Sequence, residues 1–179
     1  MAVKTGANAV LFVLGALTCL LASANPWWLL APVAILLVHF SWISSWAREG
    51  KLVVSVLLAG SALDSFLLQL GVFEFPGDAT LIPAWLALLW ALLGTTLNHC
   101  LAWTAKRWWL ASLVGLVIGP CAYLLAQAWA DLSLVHGPQT SLLILIPIWA
   151  AVLPLLQGFA NLYQEQYRLR QLGRRPPKN

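Results

Sequence analysis

Charged residues are scarce in this sequence. Only 9% of its 179 residues are Asp, Glu, Lys or Arg, whereas a soluble protein has about a quarter. This scarcity excludes a water-soluble domain of the usual kind. Instead, 61% of the residues are hydrophobic, and 11 are tryptophans. The composition therefore predicts an integral membrane protein.

Cysteine is also scarce. Cys19, Cys100 and Cys121 lie in apolar runs and lack the spacing of metal ligands. We interpret them as small hydrophobic residues rather than as disulfide partners or zinc ligands. The sequence assigns no metal-binding or cofactor-binding residue, and the identity of any cofactor stays unknown.

Apolar runs divide the chain into about six predicted transmembrane helices. Each run is bounded by charge, by Pro or Gly, or by tryptophan, and is close to the roughly 20 residues that cross the hydrocarbon. Continuous apolar runs favour helices over barrel strands, which alternate. Short connections predict an up-and-down, all-α bundle with sequential helices as neighbours. The predicted spans are 7–24, 27–46, 52–70, 80–103, 108–130 and 141–163, forming one transmembrane domain, 1–163, before a basic tail, 164–179.

The basic residues predict the orientation. They lie before the first span or after the second, fourth and sixth spans: Lys4, Arg48, Lys51, Lys106, Arg107, Arg168, Arg170, Arg174, Arg175 and Lys178. Because Lys and Arg are enriched in cytoplasmic loops, both termini are predicted to be cytoplasmic. An alternative is that the first span, with Lys4 and the small residues "ASA" at 22–24, is a cleaved signal peptide.

Asp64 is an ionisable residue inside the third predicted span, in "LLAGSALDSFLLQLG". Counted from Lys51, it lies about 20 Å into the hydrocarbon core. Intramembrane acids are costly, and so they indicate function by default. Ser61 and Ser65 are expected on its face of the helix, with Gly60 one turn before. The alternative is that Asp64 only bonds a facing helix.

Three further polar residues lie at comparable depths: His39 in the second span, and Asn98 and His99 in the fourth. With Asp64 they form our candidate catalytic set. A His–Asp pair would relay a proton, or act as acid and base on a lipid-soluble substrate. The alternative for each histidine is an ordinary packing role, and the residues lack the HxxxH or ExxH spacing of metal sites.

The segment "GVFEFPGDATLIPAW" after the third span is too rich in Pro and Gly for a simple helix and too apolar for an exposed loop. We expect it to dip back toward the bundle. It would then bring Glu74 and Asp78 to the outer mouth, near Gln69 and above Asp64. An ordinary interfacial turn anchored by phenylalanines is the alternative.

The layout as a whole resembles an uncharacterised family of small bacterial inner-membrane proteins, a domain of unknown function. The resemblance is carried by the PWW at 26–28, "GSALDSFLLQLG", "PAWLALLWALLGTTLN" and the basic tail. It implies association with lipid modification, because genes of this family often lie beside fatty-acid cyclopropanation enzymes. It implies no catalytic residue.

A second, partial resemblance covers Pro26-Trp27, Gly60-x-x-x-Asp64 and Gly71. These positions are similar to the rod-shape membrane protein D group and, more distantly, to substrate-binding subunits of vitamin transporters. The likeness fades after Gly71.

Three functions remain open. The first is an enzyme of membrane lipid or fatty-acid modification, or an accessory to one. The second is a non-enzymatic envelope scaffold. The third is a small transporter coupled to protons or energised by a partner. Membrane lipids are the expected partners, nucleic acid is not, and a lipid-modifying or other membrane protein and a second copy of this chain stay open.

Overall fold

The computed structural model describes residues 2–77 and 79–173, which form an all-helical bundle without a named strand. Asp78 and three basic residues of the predicted tail, Arg174, Arg175 and Lys178, lie outside the described residues. The helices are α1 (Ala2–Leu21), α2 (Leu30–Val38), α3 (Trp46–Gln69), α4 (Ala84–Thr96), α5 (Trp108–Trp129) and α6 (Gly137–Gly173). A 3-10 turn and a π-helical turn extend α2 to Pro26–Ile43.

Five of these helices are long and apolar enough to cross a membrane, and α4 is the shorter sixth. This architecture confirms the prediction of a helical membrane bundle. The helices pack as three hairpins, α1 with α2, α3 with α4, and α5 with α6. The expectation that all sequential helices are neighbours is wrong, because α2 with α3 and α4 with α5 form no comparable interface in the described residues. Instead, α4 also packs on α1 and α2, and α3 packs on α6.

The fourth apolar run is not one continuous helix. We expected a span over 80–103, but α4 ends at Thr96, and turns lead to a short 3-10 helix at Ala102–Lys106. The hydroxyls of Thr95 and Thr96 each donate to a carbonyl one turn back, at 2.6 Å. Such side-chain bonds compete with the helical ladder. A hydropathy pattern does not include these side-chain bonds, and so it predicts a longer helix.

Two buried amides satisfy the backbone that this break exposes. The Asn8 side chain of α1 donates to the Thr95 carbonyl at 3.2 Å and accepts from the Cys100 amide at 3.4 Å. From α6, Gln157 donates to the Leu101 carbonyl at 3.0 Å. Non-helical backbone at membrane depth persists only where such partners are supplied by the protein. The polar residues of α1 and α6 therefore hold the broken fourth crossing.

The basic residues gather at one end of the bundle. Lys4 at the start of α1 donates to the Trp42 carbonyl, 2.7 Å away, at the end of the second helix. Arg48, Lys51 and Arg170 border one shallow groove between α3 and α6. We refer to this end as the basic end.

The opposite end carries the segment after α3. Phe73 is fully buried and packs on Tyr123, while Phe75 packs on Trp85. Glu74 is exposed and pairs through its backbone with Ser133, after α5, in an isolated bridge. Phe73 and Phe75 thus return into the bundle, while Glu74 between them faces outward.

Candidate functional site

Asp64 is fully buried at the meeting point of three helices. Trp90 of α4 donates its indole N–H to Oδ2 at 2.6 Å, and Tyr123 of α5 donates its hydroxyl to Oδ1. Both carboxylate oxygens therefore have donors, which a buried charge or polar group requires. Asp64 joins α3 to α4 and α5.

Two glycines make room for the aromatic rings around Asp64. A Cβ on Gly60 would come within 2.0 Å of the Trp90 ring, and one on Gly119 within 2.0 Å of the Trp149 ring. These two tryptophans stack with their centroids 5.1 Å apart. Gly60 precedes Asp64 by one helical turn, so the missing side chain lets the indole lie across α3 and reach the carboxylate.

A cleft of about 330 Å³ lies between α1, α4 and α5, and Asp64 forms part of its wall. Its lining is almost entirely apolar. Along α4 it extends from Trp85 to Thr96, about 16 Å at the helical rise. The cleft is therefore elongated along α4, with Cys121 and Leu125 exposed at its rim.

Two polar groups in the wall of the cleft lack partners. The indole Nε1 atoms of Trp85 and Trp149 are buried and have no acceptor among the described residues. Both residues line the cleft. An unpaired buried N–H costs roughly 1–3 kcal/mol, which a ligand oxygen placed beside it would offset.

A second polar cluster lies at the basic end, around Glu49 in the first turn of α3. Glu49 is only 1% exposed. Its Oε2 lies 2.9 Å from Nε2 of His39, and both its oxygens lie 3.2 Å from Nε2 of His99. His39 comes from the π-helical turn after α2, and His99 from the turn after α4. Two interruptions of regular helix thus place both imidazoles on one carboxylate.

Two amides extend this cluster toward α6. The Asn98 side chain donates to Glu49 Oε1 at 3.4 Å. The Gln164 side chain donates to the side-chain oxygen Oδ1 of Asn98 at 2.6 Å. The second bond fixes which way the Asn98 amide faces. Because the bond leaves the Asn98 nitrogen free to donate, that nitrogen is turned toward the carboxylate.

The structure places the four candidate catalytic residues in two separate sites. His39, Asn98 and His99 come together, but around Glu49 rather than around Asp64. Asp64 lies 15 residues beyond Glu49 on the same helix, about 22 Å away. His39 does not meet Asp64, because α3 begins at Trp46 and places Glu49, which falls between the second and third predicted spans, at the level of the histidines.

Glu49 was missed because Arg48, Glu49 and Lys51 together resemble a solvated loop. Ser45 before the helix was the available signal, since serine is favoured at the residue that precedes a first turn. The backbone amide of Glu49 does donate to the Ser45 carbonyl at 3.0 Å. A helix start there would have placed Glu49 on α3.

The residues expected at the outer mouth are only partly assembled. Gln69 donates to the Thr80 carbonyl at 3.3 Å, and Glu74 is exposed on the bridge to Ser133. Asp78 lies outside the described residues. Neither Gln69 nor Glu74 lines the cleft.

The fold and these buried polar centres define a helical membrane protein with an apolar cleft. The chain belongs to the family described as "Protein of unknown function (DUF2878)", whose model matches residues 5–155. This range includes His39, Glu49, Asp64 and His99. No curated protein and no solved structure matches the chain.

Proposed function

We propose that this protein binds one hydrocarbon chain of a membrane lipid or isoprenoid in the cleft between α1, α4 and α5. The bound lipid would be modified there, by this protein or by an enzyme that it accompanies. The shape and lining of the cleft carry the proposal. A volume of about 330 Å³ lies at the lower end of ligand sites, and the almost entirely apolar lining suits a hydrocarbon chain rather than a polar head group.

The position of the cleft supports the same function. Its rim residues Cys121 and Leu125 are exposed on a bundle whose outer surface is predominantly apolar. In a bilayer such a rim faces lipid, so a chain enters sideways from the hydrocarbon.

Localisation in a bacterial inner membrane with the basic end in the cytoplasm is part of this proposal. A single cysteine replacing Asp131 in a background without the native cysteines should react with an impermeant maleimide in whole cells. A cysteine replacing Arg170 should react only after the membrane is opened. The opposite pattern would reverse the orientation.

The cleft is tested by filling it. Ala122 lines the cleft on α5, whereas Ala128 on the same helix is exposed and does not. A strain lacking the gene is complemented with wild type, Ala122→Phe or Ala128→Phe, and whole-cell lipids are compared by mass spectrometry. Wild type and Ala128→Phe should restore a lipid species that Ala122→Phe does not, with equal protein levels in membranes.

Lipid occupancy is measured directly on the same variants. Native mass spectrometry of protein extracted in mild detergent should show a bound lipid on wild type and Ala128→Phe and much less on Ala122→Phe. An unchanged lipid profile together with equal occupancy in all three would contradict the proposal and favour an envelope scaffold.

A further inference from the structure

The cluster at Glu49 presents three ligand atoms to one point. Nε2 of His39, Nε2 of His99 and a carboxylate oxygen of Glu49 all lie within 4.8 Å of one another. The nitrogen-to-oxygen distances are 2.9 and 3.2 Å. In a tetrahedral zinc site, ligands about 2.1 Å from the ion are about 3.4 Å from each other. Small side-chain movements would therefore admit an ion between them.

The residue types match one metal class. Two imidazoles and one carboxylate form the protein ligands of a group of zinc sites that keep a fourth position open. Imidazole also suits copper, nickel and iron, whereas magnesium and calcium prefer oxygen alone. The cluster therefore fits a transition-metal ion better than an alkaline-earth ion.

Among the described residues, the charge of Glu49 is balanced either by an imidazolium ring or by a bound metal ion. Glu49 is 1% exposed, and its polar contacts are all with potential N–H donors: His39, His99 and Asn98. No Lys or Arg forms an ion pair with it in the described part of the chain. A buried carboxylate requires a positive partner or a metal.

The surroundings orient the ligands and restrict access. Gln164 positions Asn98, and Asn98 holds one carboxylate oxygen of Glu49. The His39 ring packs edge-on against Phe40 at 5.2 Å and against the His99 ring at 5.3 Å. Hydrogen bonds behind the ligands and an apolar wall around them are typical of metal centres. His99, 12% exposed, is the open side of the cluster.

We propose that His39, Glu49 and His99 form a binding site for one divalent transition-metal ion, zinc being the best match. The fourth position is left for water or another ligand. This site is independent of lipid binding in the cleft, and either proposal stands if the other fails.

The test uses full-length protein purified in detergent, stripped with EDTA and titrated with Zn²⁺ or Co²⁺ alone. Wild type should bind one equivalent of metal, measured by calorimetry and by elemental analysis after desalting. His39→Ala, Glu49→Gln and His99→Ala should each bind at least 100-fold more weakly. His136→Ala and Glu165→Gln, which alter exposed residues outside the cluster, should bind like wild type.

One further variant separates ligation from a purely structural role. His99→Cys replaces an imidazole by a thiolate, which remains a metal ligand. Its Co²⁺ complex should gain a sulfur-to-cobalt charge-transfer band that wild type lacks. A wild-type protein that binds no more metal than His39→Ala, or a His99→Cys protein without that band, would overturn the proposal.

Discussion

Two buried carboxylates on α3, Glu49 and Asp64, stand about 22 Å apart along the helix axis and have different kinds of partner. Asp64 accepts from the indole of Trp90 and the hydroxyl of Tyr123. Glu49 lies within hydrogen-bonding distance of a ring nitrogen of two imidazoles and accepts from an amide. Both acids are at most 1% exposed, so burial does not distinguish them.

The partners do distinguish them. Indole does not bind metals, and neither indole nor phenol titrates near neutral pH, so the bonds at Asp64 hold helices together. Imidazole takes up protons and metal ions near neutrality. The neighbours from other helices thus distinguish two buried acids of one helix: Asp64 ties helices together, and Glu49 is the acid of the proposed metal site.

The largest expected effect comes from Asp64→Ala. This change leaves the Trp90 N–H and the Tyr123 O–H without an acceptor, so the free energy of unfolding should fall by about 4 kcal/mol. Unfolding in mixed detergent micelles, followed by tryptophan fluorescence, measures it. Ser61→Ala, one turn away with an unpartnered hydroxyl, should change stability little. Equal stability of both variants would show that Asp64 ties nothing.

The second largest effect is expected from Zn²⁺, which should stabilise the Asp64 variant but not the Glu49 variant. At a free concentration 100 times Kd, a ligand stabilises the folded state by about 2.7 kcal/mol. Wild type and Asp64→Asn should both gain this stability on adding Zn²⁺, measured by the same unfolding assay, and Glu49→Gln should not. A gain in Glu49→Gln would mean that the ion binds elsewhere.

Gly60→Ala tests the close packing of Trp90 on α3, which brings its indole to Asp64. The added Cβ would meet the indole ring at 2.0 Å, and the ring cannot easily move because it stacks on Trp149. Overpacking of this kind costs about 2 kcal/mol. Gly158→Ala is the matched control, since nothing lies within 4 Å of its Cβ. Unfolding should show a loss only for Gly60→Ala, and similar values for the two variants would argue against the packed indole.

The smallest effect, a change in metal affinity, is expected on the side of the Glu49 cluster that faces α6. Gln164→Leu removes the bond that orients Asn98 and should weaken metal affinity about 10-fold, or about 1.4 kcal/mol. Calorimetric titration with Zn²⁺ measures the change. Gln166→Leu, on an exposed residue of the same helix, should leave the affinity unchanged. If the two variants bind equally, Asn98 does not need Gln164 to orient it.

The fold was predictable where local composition decides it. Long apolar runs in a chain with few charges admit only helices in lipid, because each backbone group must be bonded within its own segment. The end of α4 was not predictable in this way. Residues 97–101 fall inside the run that predicted a span, yet they leave the helix where Asn8 and Gln157, distant in sequence, bond the backbone of Cys100 and Leu101.

The site was predictable only as a set of residue types. His39, Asn98 and His99 stand out as polar residues in apolar runs, and they do lie together. Their central acid did not stand out, because Glu49 is flanked by Arg48 and Lys51 in the sequence. Asp64 stands out most clearly and lies elsewhere. The distances between these polar side chains depend on where helices begin and break, and hydropathy fixes neither position.

Composition and the positions of the basic residues are enough to establish a helical membrane protein whose basic residues fall in alternate connections, because burying charge and unpaired backbone in hydrocarbon is costly. The break in α4, the path of Trp90 across Gly60 to Asp64, and the meeting of two histidines at Glu49 follow instead from contacts between helices. These contacts join residues far apart in the chain, and their existence depends on how whole helices pack.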